Sequence, residues 1–149
     1  ENLEGMRMNA YGIYGGLQLV LHHSLKIYKK YDVILRIRAD MFGSRMQNRK
    51  DYKEQFPNVQ EWKKMKQKIK QSPNSLHECM RPRAKRIDFC IFGRLSPMIT
   101  VFFNLFDNFS NVANADCVKH LENIHWPVYS ESMIACSIMQ KNMSLKYIG

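Results

Sequence analysis

Tyr31-Asp-Val-Ile-Leu-Arg-Ile-Arg38 is the stretch on which the fold turns. Val33, Ile34, Leu35 and Ile37 give it the β-branched and aliphatic character of a short strand. Its apolar centre reads as buried on both faces, and from Arg36 it alternates apolar and basic before ending at Ala39-Asp-Met-Phe-Gly43. Upstream, Met6, Tyr11, Tyr14, Leu17, Val20, Leu21, Leu25 and Tyr28 recur at spacings of three to five and predict a helix over 6–30. Gly15-Gly16 weakens its middle by about 1 kcal/mol per glycine relative to alanine. Downstream, Ile87-Asp-Phe-Cys-Ile-Phe-Gly93 predicts a second strand. Ser96 as N-cap and Pro97 at the first helical position then open an aromatic-rich helix over 98–109. A short helix is expected within 114–123. Ser130 is expected to cap a helix over 131–141 with Met133, Ile134, Ile138 and Met139 on one side, and 144–148 to form a last strand. Strands alternating with helices predict one α/β layered domain over 1–149.

Between the two strands lies a basic excursion, about 44–86. Within 61–86 stand Lys63, Lys64, Lys66, Lys68, Lys70, Arg81, Arg83, Lys85 and Arg86 against only Glu61 and Glu78. A surface helix is expected over 58–71, with Pro57, Pro73 and Pro82 punctuating the rest as solvated loop. The whole chain has 23 basic and 13 acidic residues, a net charge of +10, which points to an anionic partner. A hydrophobic content of 45% excludes wholesale disorder. The longest nearly uncharged apolar run, Leu95 to Phe106, falls well short of the roughly 20 residues a membrane span needs. Cys79, Cys90, Cys117 and Cys136 form no CxxC pair; Cys90 and Cys136 sit in apolar runs and read as buried thiols, so a reducing, cytoplasmic setting is expected.

Chemistry is concentrated in Arg36-Ile-Arg-Ala-Asp40. An acid just past the carboxyl end of a buried strand stands where open α/β sheets bind ligands. Asp40 there can hold a divalent cation on a diphosphate, and Arg38 can meet phosphate oxygens as a fork. A purely local reading makes Asp40 a turn cap and Arg36 and Arg38 solvated. Asp88 opens a strand and Glu131 opens a helix, and either can act as a base toward a hydroxyl or as a cap or ion-pair member. His22, His23, His77, His120 and His125 complete no metal site at ligand spacing, and no P-loop, GxGxxG, GxSxG or HExxH is present.

Taken together, Tyr31 to Met41 resembles the "YDxVIRxRxDL" strand of GT-A-type glycosyltransferases of the polysaccharide and lipopolysaccharide synthesis kind. Asp88 to Gly93, Met98 and Phe103-Asn-Leu-Phe-Asp-Asn108 resemble their "DWxxFGxxxxMxxYxNLYxN" segment, and Ser130-Glu-Ser-Met-Ile134 their "PExxL" helix start. The resemblance spans roughly 6–148. It implies a partial GT-A, Rossmann-like sheet with flanking helices, in which Asp40 holds Mn²⁺ or Mg²⁺ on a nucleotide-sugar donor. Arg38 replaces the leading acid of the usual signature, so it and Arg36 would neutralise phosphate, while Asp88 and Glu131 would serve catalysis near the acceptor. Family members carry nucleotide-binding βαβ units ahead of this strand. The chain begins close to the helix before it, so a C-terminal half with those units missing is expected. The implied activity is transfer of a sugar to a glycan or lipid-linked acceptor, with the basic excursion facing that acceptor or an anionic membrane surface. The alternatives are a basic nucleic-acid-binding protein, stacking bases on Trp62 or Phe56, and a catalytically inactive interaction module of the same fold.

Overall fold

In a computed structural model of the protein, residues 3–37, 59–78, 90–119 and 129–147 are described. Their organising element is a four-stranded mixed sheet of order β1-β3-β2-β4: β1 Ile34–Ile37, β2 Leu76–Glu78, β3 Cys90–Gly93 and β4 Leu145–Tyr147. β3 runs antiparallel to both β1 and β2, and β4 pairs parallel to β2. The class is thus mixed α/β, as the alternation of elements predicts. β2 falls inside the basic excursion, where loop was expected; its three residues are all buried and it occupies the middle of the sheet.

One face of the sheet carries α1 Leu3–Lys26, α3 Leu95–Asp107, α4 Phe109–Ala113 and α5 Tyr129–Gln140. Ile34, Leu76 and Ile91 meet Met6, Ala10, Leu17, Met98, Val101, Phe102, Ile134 and Ile138 there in one core. Among the described residues the opposite face carries α2 Val59–Gln71, whose Met65 and Ile69 close over Phe92, Val33 and Leu35. Close packing on the first face leaves no room for a side chain at Gly93: an added Cβ would stand 3.1 Å from Leu76 Cδ2.

Helix faces and ends depart from expectation in instructive ways. The buried face of α1 is Met6, Ala10, Leu17 and Ser24, whereas Tyr11, Leu25 and Tyr28 are exposed. Ala10 and Ser24 put two small side chains on that face between the larger Met6 and Leu17, and Tyr11 and Tyr28 lie outside it. Tyr14 compensates by stacking on Phe106 at 4.4 Å between centroids and leaning on Phe103. α1 ends as Tyr28 enters the left-handed region (φ 51°) and Lys29 N–H reaches back to the Ser24 carbonyl. α5 ends the same way at Asn142 (φ 52°), with Met143 N–H donating to Ile138 O. Ser96 is not the cap of α3: the helix begins at Leu95, with Arg94 at the cap position and no side-chain cap bond. Pro97 sits two positions further in than expected, still within the first turn where its missing N–H costs nothing. Likewise α5 begins at Tyr129, so Ser130 lies inside it, and Met139 is exposed.

Cys117 and Cys136 form a disulfide that ties the helical turn 116–119 to α5, and Cys90 is disulfide-bonded as well. This corrects the expectation of free thiols. Burial in apolar runs is common to buried thiols and to half-cystines, so spacing alone could not separate them. No helix among the described residues is long and apolar enough to cross a membrane.

Candidate functional site

Sheet register determines which charged side chains share a face. Arg36 stands opposite Ile91, and Ile91 opposite Glu78, so the three form a row across β1, β3 and β2. Directly paired residues point to the same side, and Ile91 belongs to the core under the four helices. Arg36 and Glu78 are therefore a cation and an anion on the core face of the sheet, one strand apart. Glu78 is only 4% exposed. A carboxylate that deep is retained only where it is paired or hydrogen-bonded, and both residues do make polar interactions. Composition could not single out Glu78, because the sequence shows it merely as one of two acids in a basic run.

Beside this row a cavity of about 690 Å³ opens between α1 and β1. Its wall on α1 includes Met8, Gly12, Ile13 and Gly16, and its wall on β1 runs from Ile34 through Arg36 to Ile37. Gly12 and Gly16 have nothing within 4 Å of where a Cβ would be. Their missing side chains leave the helix surface low and the cavity open. A mostly apolar concavity of this volume with one guanidinium in its wall has the makings of a small-molecule site.

The neighbouring row, Leu35, Phe92, His77 and Lys146, lies on the other face beneath α2. His77 is buried, stacked on Phe92 at 5.0 Å, and its Nε2–H donates to the Ser72 carbonyl at 3.3 Å. That bond leaves Nδ1 as the bare ring nitrogen, and Nδ1 has no hydrogen-bond partner. Burial pushes His77 below its ordinary value; the Ser72 carbonyl works against this, and Lys68 and Lys146 add to the lowering. Packed between Phe92 and the Ser72 carbonyl, its ring is held toward the neutral form. No cluster of three or more His, Cys, Asp or Glu stands ready for a metal ion among the described residues.

Of the residues singled out by sequence, Arg36 is on β1 at the cavity wall. Arg38, Asp40 and Asp88 lie outside the described residues, and Glu131 is placed only as a backbone position in the first turn of α5. The register adds one relation between them. Ile37, the last residue of β1, pairs with Cys90, the first of β3. The chain continues from one toward Asp40, three residues on, and enters the other from Asp88, two residues before. The asparagines of the family-like segment turn out to be structural. Asn104 Nδ2 donates to Ser137 Oγ (2.9 Å) and Gln140 Oε1 (3.2 Å), its Oδ1 accepts from Asn108 (3.1 Å), and Ser137 Oγ donates to Val101 O (2.7 Å). This network fastens α3 to α5.

No protein-family model, curated protein or solved structure matches the chain.

Proposed function

We propose that the chain belongs to a GT-A-like glycosyltransferase that moves a sugar from a nucleotide-diphosphate donor to a glycan or lipid-linked acceptor. The observation that supports it most is the pairing of Ile37 with Cys90: the strand ends leading to Asp40 and Asp88 meet at one end of the sheet, beside the cavity walled by Arg36. In this reading the Arg36 guanidinium, with Arg38, neutralises the charge that grows on the departing diphosphate. Asp88 accepts the proton of the attacking hydroxyl, and Glu131 orients the acceptor. Arg36 is a cation and suits phosphate oxygens rather than a metal ion, so Asp40 alone would hold Mn²⁺ or Mg²⁺. When bound, that ion would supply further charge neutralisation on the diphosphate. The half-cystines Cys90, Cys117 and Cys136 favour an oxidising compartment over the cytoplasm for this enzyme.

Asp40→Ala tests the assignment. Donor binding measured calorimetrically with Mn²⁺, and turnover of a nucleotide sugar, are both expected to be lost. Unchanged binding and turnover would remove Asp40 from the site. An unmutated protein that binds donor but never turns it over would instead be an inactive module of the same fold.

A further inference from the structure

The outer face of α2 carries Lys63, Lys64, Lys66, Lys68 and Lys70, and the cavity and its charged row do not use it. Met65 and Ile69 anchor the helix to the sheet. At about 100° per residue, Gln60, Gln67 and Gln71 then form the stripe pointing directly away from the protein. Lys63, Lys66 and Lys70 line one side of that stripe, and Lys64 and Lys68 the other. Gln60, Lys63, Lys64, Lys66, Gln67, Lys70 and Gln71 are all exposed. Lys66 is held toward the β1 side by Asp32 at 3.3 Å, while exposed Lys146 extends the positive field across the sheet edge.

We propose that this face binds a linear acidic polysaccharide, with the lysines meeting its sulfate or carboxylate groups and the glutamine amides its hydroxyls. The charges are compact ammonium groups without an arginine fork among them. Trp62, on the shoulder toward the sheet and 37% exposed, is the one ring of α2, whereas surfaces that track single-stranded nucleic acid stack successive bases on several rings. Val59, 72% exposed at the start of the helix, is a single small apolar side chain among the lysines, far short of the apolar face that sinks into a lipid headgroup layer. Glutamine amides donate and accept at once, which suits hydroxyl-rich chains. The half-cystines add that the protein matures where such polyanions are encountered. The proposal does not rest on the transferase reading, and binding without donor tests it separately.

The probe is heparin, a sulfated linear polysaccharide, with affinity followed as a function of salt. Lys63→Glu with Lys70→Glu is expected to weaken binding roughly tenfold and to reduce the salt slope by about 2. The milder Lys63→Gln with Lys70→Gln should fall between, with an unchanged circular dichroism spectrum. Arg7→Glu with Lys26→Glu, exposed positions on α1, changes net charge equally and should leave affinity nearly intact. Equal losses in the α1 and α2 variants, or no loss in the α2 variant, would overturn the proposal. So would tighter binding, at matched salt, to polyuridylic acid or to phosphatidylcholine vesicles containing phosphatidylglycerol.

Discussion

The two faces of the sheet are built on opposite principles. Under α1, α3 and α5 lies a deep apolar core that buries Phe102, Met98 and Val101 completely or nearly so and is laced by the Asn104 network. Under α2 a single layer of Met65, Ile69 and Phe92 suffices, with a neutral histidine beneath a lysine-rich helix. The first face supplies cooperativity and the second supplies charge. A helix held by two buried side chains can carry five lysines because so little of it has to be hidden.

The largest expected effect separates the faces directly. Phe102→Ala should destabilise the whole domain by about 3–5 kcal/mol, read as a lowered urea midpoint. Ile69→Ala should cost about 2–4 kcal/mol and be felt first at α2, as faster amide exchange there than in α3. If both variants accelerate exchange in α3 equally, the two faces are a single cooperative unit. Next is Asn104→Ala, which removes its bonds to Asn108, Ser137 and Gln140 and should cost about 2 kcal/mol by denaturant titration.

A pH titration sharpens the contrast further. His77 binds its proton less readily when folded than when unfolded, so its contribution to stability is complete above its ordinary value of 6.5 and is lost as pH falls below it. Urea midpoints at neutral and mildly acidic pH should show that loss, and His77→Phe should flatten it. The smallest effects are gains. Gly15→Ala, in open space on α1, and Tyr28→Gly, at a left-handed and fully solvated position, should each add about 1 kcal/mol by thermal melting.

Much of the layering was legible in the residues. The strand around Ile34–Ile37, the strand ending at Gly93, and the helices over 59–71, 95–107 and 129–140 all follow from periodicity and β-branching. Leu76-His-Glu78 did not, because a three-residue strand has no period to detect and its His and Glu mimic the surrounding loop. What makes it a strand is pairing on both sides, a property of partners far away in sequence. The face of α1 was misjudged because tyrosine counts as apolar, whereas close packing favoured Ala10 and Ser24. Of the candidate site, Arg36 was legible from its place on a strand. Glu78 was not, since only register reveals that it shares a face with Arg36. Arg38, Asp40 and Asp88 remain sequence expectations beyond the described residues.

That register has a consequence for the evolution of the chain. Sliding β1 by a single residue against β3 would turn Leu35 inward toward the large core and swing the Arg36 guanidinium beneath the lysines of α2, like charge against like. Insertions or deletions just before Ile34 are thus penalised twice over, once by lost burial and once by repulsion. The length of the turn linking α1 to β1 should accordingly tolerate far less variation than its polar, solvent-facing residues suggest.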